Sequence, residues 1–364
     1  MTDSPDIIID GHLDIAMNYV AFGRDFRNPT WLTHQKEDKY PGAKYDGIGT
    51  ATVGLPNLLL GRVGIVFATL WVCPPKSALP VPPVMYETPE QAYGLATKQL
   101  DYYHRLADED DRIRLIRVQR DLDEVLESWA EGKEFADHKL GLVVLMEGAD
   151  PILEPRQAEE WYERDVRIIG PAWDATRYSA GTDAPGSLTS LGWELLDVMS
   201  SFNMILDVSH MAEQAFWEAV NNYPGTLFAS HSNPRRFRNT PRQLSDDMIR
   251  RLAERDSVMG VVPYNVFLQD GWRLGKDRRT DVTLERYLDV IDHVCQVTGS
   301  ARHVAIGTDW DGGFGWESIP PPFESHIDLF YMRDFLASRN YSEKDITGIL
   351  SGNLLRILRQ GLPV

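Results

Sequence analysis

The chain has 364 residues, 43% of them hydrophobic and 25% charged, and a formal net charge of −17. That composition is globular, and a chain this long buries a core without disulfide support. The negative charge argues against nucleic acid and anionic membranes as partners, and no apolar stretch approaches the roughly 20 residues that span a bilayer. Cys73 and Cys295 sit in unrelated contexts and form neither a disulfide framework nor a C-x-x-C metal motif. The first residues, Met1–Asp6, are acidic and lack the basic and apolar regions of a signal peptide. A cytoplasmic protein is expected.

The apolar run Ile7-Ile8-Ile9 predicts a strand over Asp6–Asp10, and His12-Leu13-Asp14 follows it. Side chains at i and i+2 of an extended chain point the same way, so His12 and Asp14 leave this strand together. An insertion, Gly23–Asn57, is polar, aromatic and glycine-rich. A second strand, Val63–Val72, leads into a proline-rich insertion, Pro74–Pro89. Thr88-Pro89-Glu90-Gln91 reads as a capping box with proline at the first helical position. Ala92, Leu95, Ala96, Leu100 and Tyr103 form the apolar stripe of the helix it opens. Strands are then predicted over Gly141–Glu147, Arg167–Ala172, Met204–Ser209, Thr226–Ser230, Val258–Tyr264 and His303–Asp309. Helices are predicted over Leu191–Met199, Ala212–Val220, Asp246–Ala253 and, behind the N-cap Thr283, Leu284–Val294. A last helix pair is expected to begin at Ser342-x-x-Asp345 and at Ser351. Continuous apolar runs such as Val143-Val144-Leu145-Met146 fit strands covered on both faces. Eight strands alternating with helices predict an α/β fold, a (β/α)8 barrel of TIM type with loop insertions after strands 1 and 2. One domain over residues 1–364 is expected; a doubly wound open sheet is the alternative.

In such a barrel all strand ends converge on one face. Strand 1 brings His12 and Asp14, strand 3 ends in Glu147, strands 5 and 6 lead into His210 and His231, and strand 8 ends in Asp309. Any one of these could be a capping or buried structural residue. Six metal-competent residues at the same end of five strands are hard to produce by chance, so together they point to a metal site; the Glu147 carboxylate, behind four apolar residues, must be paired, metal-bound or solvated. His34, His104, His138, His293, His303 and His326 fall in loops, helices or strand beginnings and are read as surface or packing residues. Three histidines and two carboxylates exceed the usual ligand set of one catalytic zinc. Two ions bridged by Glu147 satisfy the count: His12, Asp14 and one Glu147 oxygen on the first, the other oxygen with His210 and His231 on the second. Two such ions share a water and lower its pKa, which leaves Asp309 free to pass a proton to a leaving amine.

These residues resemble the membrane (renal) dipeptidase family of zinc metallopeptidases, within the amidohydrolase-like barrels. The resemblance runs nearly end to end. It rests on Asp10-Gly11-His12-Leu13-Asp14, Glu147-Gly148, Asp207-Val208-Ser209-His210, Ala229-Ser230-His231-Ser232, Gly307-Thr308-Asp309-Trp310-Asp311-Gly312 and Gly352-Asn353-Leu354-Leu355-Arg356. A bridging glutamate on strand 3 separates this family from relatives with a carboxylated lysine on strand 4. The resemblance implies hydrolysis of dipeptides at two zinc ions, often with tolerance of a D-residue at the C-terminal position. It implies that His12, Asp14, Glu147, His210 and His231 are ligands and that Asp309 is the proton shuttle. It also implies that Arg242 holds the substrate carboxylate, a task suited to a bidentate guanidinium, and that Tyr264 and Asn265 line the pocket. Arg235, Arg236 and Arg238 compete with Arg242 for the anchor.

One position departs from the family. A substrate-binding histidine is usual at the end of strand 4, and here Gly170-Pro171-Ala172-Trp173-Asp174 places Trp173 there. Indole donates a hydrogen bond but accepts none, so substrate range is the property this change touches. The expected protein is a metallo-dipeptidase for a small dipeptide-like substrate. Manganese, cobalt or iron are alternatives to zinc, and the oligomeric state is open, a homodimer included. Rival readings are a hydrolase of a lactam, N-acyl amino acid or ester on the same metals, and a catalytically weak ligand-binding barrel.

Overall fold

The computed structural model describes residues 6–39, 48–75, 77 and 80–364. Eight parallel strands form a ring: β1 (Ile8–Leu13), β2 (Val63–Trp71), β3 (Leu140–Glu147), β4 (Val166–Gly170), β5 (Ile205–Asp207), β6 (Leu227–Phe228), β7 (Met259–Val261) and β8 (Val304–Ile306). Each strand pairs with the next, and β8 pairs back onto β1 through Asp10 and Ile306. Between β6 and β7 the seam is one bridge, Ala229 to Met259. This is the expected (β/α)8 barrel. Its longest ladder joins β2 to β3 from Ile65–Gly141 to Trp71–Glu147. Both strands are buried throughout, as their unbroken apolar runs require.

Strand 1 corrects the expectation. It starts at Ile8 and runs through His12 to Leu13, instead of spanning Asp6–Asp10. Asp10 stays inside the strand because its carboxylate is fully satisfied. It accepts from the Thr308 N–H at 2.8 Å, the Thr308 hydroxyl at 2.6 Å and the His12 N–H at 3.3 Å, and pairs with His326 Nε2 at 3.0 Å. A short strand, Ile113–Leu115, was not expected; it pairs with the start of β3 on the edge that β4 occupies further along. A hairpin, Ser179–Gly181 with Ala184–Leu188, also lies outside the predicted elements.

The predicted helices form with small shifts. Thr88 caps Pro89–Glu109 in a complete capping box, and Ala92, Ala96, Leu100 and Tyr103 are buried. The others are Ser190–Ser201, Glu213–Asn222, Asp246–Glu254 and Leu284–Thr298, the last with Thr283 at the N-cap but without a capping bond from its side chain. Ser342 caps Glu343–Thr347. Ser351 opens no helix: it lies in a π-helical turn, Gly348–Gly352, that runs directly into Asn353–Gly361.

Helices Ile15–Phe22, Thr30–Lys39 and Leu55–Leu60 occupy the chain between β1 and β2. Residues 40–47 of the first insertion and 76, 78 and 79 of the second lie outside the described residues. Among the described residues, no helix is long and apolar enough to cross a membrane. At the barrel centre the Ser230 carbonyl oxygen meets three glycines. A Cβ at Gly260, Gly307 or Gly11 would stand 1.9, 2.0 or 2.9 Å from that oxygen, so β7, β1 and the residue just after β8 use glycine to let Ser230 lean inward.

Candidate active site

Glu147 ends β3 and stands at the centre of the site. Its Oε1 lies 3.2 Å from His210 Nε2 and 3.3 Å from His231 Nε2, and its Oε2 lies 3.5 Å from His12 Nε2. His12 is held inside β1, while His210 and His231 follow β5 and β6. Ligand atoms of Glu147, His210 and His231 form one compact group, and those of His12, Asp14 and Asp309 form another, each within 4.8 Å. The barrel therefore gathers all six expected residues.

The hydrogen bonds on the far side of each imidazole decide its tautomer. Asp207 Oδ2 lies 2.5 Å from the Ser230 hydroxyl, and a carboxylate can only accept, so Ser230 donates to it. The hydroxyl then has lone pairs left for His231 Nδ1 at 2.7 Å and His12 Nδ1 at 3.1 Å. Both Nδ1 atoms must carry hydrogen. His210 Nδ1 faces the Trp173 carbonyl at 3.1 Å and the Thr182 hydroxyl at 2.9 Å, and the carbonyl accepts only. All three Nε2 atoms are thereby turned toward Glu147. Two of them, on His210 and His231, stand 3.0 Å apart, and His12 Nε2 is buried without a hydrogen bond. Lone pairs facing one another and a carboxylate at these distances repel unless positive charge sits among them. This donor set fits a divalent metal.

The electrostatics agree. Burial lowers His210 to about 4, with Arg242 adding to the effect, and holds His231 well below its ordinary value. Burial would also lower His12, but the Glu147 carboxylate outweighs it and lifts His12 to about 10. Glu147 stays ionised, far below the usual carboxylate range: burial opposes this, and the charge of His12 leads the effects that prevail. Asp14 is pushed up to about 7 by burial and by Glu147. Asp309 is raised well above its ordinary value by burial, with Asp14 and Glu147 adding to this against His12.

Asp14 accepts a very short hydrogen bond from the Thr69 hydroxyl of β2. The Asp309 N–H donates to the His12 carbonyl at 3.1 Å, which ties β1 to the loop after β8. Gly312 is obligatory there, since a Cβ would stand 2.0 Å from Asp309 Oδ1 and 2.8 Å from Asp14 Oδ2.

The site opens into a cavity of about 350 Å³, large enough for a small ligand. Arg242 lines it, buried, donating to the Ser232 hydroxyl at 3.0 Å and the His231 carbonyl at 2.7 Å, with donors to spare. Phe267 lies under its guanidinium, 5.4 Å away. Tyr264 also lines the cavity and stacks on Phe314 at 3.9 Å. Asn265 faces away, donating to the Arg279 carbonyl. Of the rival arginines, Arg238 reaches the cavity but spends a donor on Val266, and Arg235 is paired with Glu213. Trp173 lines the opposite wall. Asp207 and Ser230 stood in the motifs without an assigned role. The signal that could have found Asp207 is a carboxylate closing an apolar strand, which needs a buried partner.

Fold and cluster together define a barrel hydrolase of the metallo-dipeptidase class, whose cofactor is a divalent metal. The chain belongs to the membrane dipeptidase family (peptidase family M19), whose sequence pattern matches residues 3–362. A protein of the pqqA 5′ region of Klebsiella pneumoniae is 32% identical over 233 residues, covering 61% of this chain and 83% of its own. A crystal structure of a family M19 metallopeptidase, dipeptidase AC, superposes with a TM-score of 0.77 at 22% identity, over 98% of this chain and 99% of that one. The metallopeptidase from Rhodobacter sphaeroides, liganded with a phosphinate mimic of L-Ala-D-Ala, matches with a TM-score of 0.77 at 21% identity, over 99% of this chain and 100% of that one. At these identities the two structures speak for the fold.

Two predictions follow from the site's protons. With His12 at about 10, a cation taking Nε2 at pH 8 must displace a proton. Its affinity should therefore tighten as pH rises toward 10. Calorimetry in buffers of different ionisation enthalpy should find at least one proton released per chain; none released would contradict the protonation assigned to His12. Ser230→Ala strips two imidazole N–H groups and Asp207 Oδ2 of the hydroxyl they share. Metal affinity should fall about 10–100-fold in chelator competition, and an unchanged affinity would show that the hydroxyl orients neither ring.

Proposed function

We propose that this enzyme hydrolyses dipeptides with a free C-terminal carboxylate, using two divalent ions, zinc by preference. The observation that carries this reading is the divided Glu147 carboxylate, with one oxygen toward His12 and the other toward His210 and His231. His12, Asp14 and Glu147 would hold one ion, and Glu147, His210 and His231 the other. Three imidazoles favour zinc over harder ions. Bound there, the ions supply Lewis acidity and an activated water for amide hydrolysis.

The protein's own groups do the rest. Arg242 binds the substrate carboxylate in its fork and sets the register of the scissile bond. Asp309, ionised when the ions are bound beside it, would accept the proton of the attacking water and deliver it to the departing nitrogen. The Tyr264 wall packs against the substrate. An anchor this close to the centre selects short peptides, because a longer C-terminal chain would collide with Arg242. Tolerance of a D-residue at the C-terminal position belongs to the same reading, supported by the L-Ala-D-Ala mimic on the Rhodobacter relative. The low cysteine content supports a cytoplasmic location.

The test is turnover of a stereochemically complete dipeptide set, beside N-acyl amino acids, with metal content measured on the same sample. Two ions per chain and cleavage of dipeptides are expected; one ion, or cleavage of N-acyl amino acids alone, would overturn the reading. Asp309→Asn should lower kcat by about 10²–10⁴-fold while metal content is retained. Full activity in that variant would remove the proton shuttle. Arg242→Lys keeps the charge and loses the fork, so KM for dipeptides should rise about tenfold or more, with little change for dipeptide amides. Equal effects on acids and amides would place the carboxylate elsewhere.

A further inference from the structure

The cavity has two unlike walls. One comes from β6, β7 and β8 and carries Arg242, Tyr264, Phe267 and Phe314. The other comes from β2, β4 and the helix after β1. It carries Trp71, Trp173, Met17 and Val81. Met17, Trp71 and Val81 belong to an apolar cluster separate from the barrel core, and Trp173 packs against it. In an eight-strand ring β3 and β7 are opposite one another, so this second wall stands across the Glu147 centre from Tyr264.

Trp173 is built in. Its carbonyl receives hydrogen bonds from His210 Nδ1 at 3.1 Å and the Thr182 N–H at 3.3 Å. Its ring lies nearly parallel to that of His210, 5.7 Å away at 27°, and meets Trp71 edge-on at 5.2 Å. Gly148, at a φ of +83°, lies beside it: a Cβ there would stand in ordinary contact with Trp173 Cβ, at 3.4 Å. The backbone that orients an imidazole of the centre thus also presents an indole face to the cavity. Asp174 and Asp183 rim this end, so an anionic group entering here meets like charge.

We propose that Trp71, Trp173, Met17 and Val81 form a subsite for the side chain of the residue that contributes the scissile carbonyl, and that the preferred substrates are dipeptides with a large apolar first residue. The inference rests on the proposed Arg242 anchor: a carboxylate held on the β6 side directs the other end of a dipeptide across Glu147 toward the tryptophans. Burying an apolar side chain against preformed aromatic walls removes its surface from water at little cost in ordering. An aspartate there is opposed by the rim.

The test compares kcat/KM for X-Ala and Ala-X dipeptides, with X = Gly, Leu, Phe, Lys or Asp, on the metal-loaded wild type, Trp173→Ala and Trp173→Phe. Leu and Phe in first position should exceed Gly by about 10–100-fold, with Asp the poorest. Trp173→Ala should reduce the Leu-to-Gly ratio at least about fivefold, and Trp173→Phe should restore most of it. A first-position ratio near one, a preference for Lys over Leu, or a Trp173→Ala effect confined to the second position would overturn the subsite. Calorimetric titration with phosphinate analogues of Leu-Ala and Gly-Ala separates this from the peptidase reading. Tighter binding of the Leu analogue without turnover of any dipeptide would sustain the subsite and sink the activity. Turnover with equal binding of the two analogues would do the reverse.

Discussion

The site depends on where one serine stands. Ser230 lies just past β6, and its carbonyl fills space at the barrel centre that Gly11, Gly260 and Gly307 leave vacant. That inward lean carries the hydroxyl beneath His12 and His231, whose ring centroids lie 3.6 Å apart with the planes tilted by 33°. Asp207 takes the hydroxyl hydrogen, and its other oxygen accepts the Ser230 and Ser209 N–H groups at 3.0 Å each. Side chains at those glycines would push Ser230 outward, and both rings would lose the acceptor that turns their Nε2 atoms to Glu147. Glycine in or just past three neighbouring strands and orientation of two imidazoles are therefore one constraint, acting through the two oxygens of one residue.

The same packing explains how so much charge is tolerated in a buried place. An unpaired ion is costly there, and breaking a pair costs more than forming it returns. The carboxylates divide the burden. Glu147 remains ionised chiefly through the charge of His12 beside it, whereas Asp14 and Asp309 hold protons more tightly than free carboxylic acids do. The Glu147 carboxylate in turn raises the proton affinity of His12. Groups of like chemistry pushed apart in pKa are what acid–base work at neutral pH requires. The overall charge of −17 has little bearing on this, because the local arrangement sets each group's proton affinity.

Much of the site was legible because strand ends in a barrel converge, so polar residues closing apolar runs identify it. His12, Glu147, His210, His231 and Asp309 could be read that way. Boundaries were less legible wherever a buried polar residue interrupts an apolar run, as Asp10 does in β1. The Ile113–Leu115 strand is only three residues long, and the hairpin at Ser179–Leu188 contains Gly181, Pro185 and Gly186, so neither carries a strand signature. The roles of Asp207 and Ser230 were hidden for another reason. They meet only after β5 and β6 pair, with Leu206 opposite Leu227 and Asp207 opposite Phe228, and local composition does not encode that register.

The insertion after β1 shows why a barrel face alone does not make this site. Asp309 and Asp311 both adopt positive φ, at 55° and 63°, a conformation uncommon for non-glycine residues but open to aspartate, and here the surroundings fix it. The surroundings come from the insertion. Thr52 donates its N–H and hydroxyl to Asp311 Oδ1 at 2.8 Å each, and Val53 donates its N–H to Oδ2 at 3.2 Å. Arg24 stands 3.6 Å from the same carboxylate while bound to Glu37 at 2.7 Å, and Asn18 holds the Asp311 carbonyl at 2.9 Å. With Asp311 clamped from outside and the Asp309 N–H held by the His12 carbonyl, the Asp309 carboxyl has little freedom beside Asp14. A misplacement of about 1 Å can cost two orders of magnitude in rate. The long segment between the first two strands thus acts on the chemistry through backbone geometry, without its own side chains having to enter the proposed metal site.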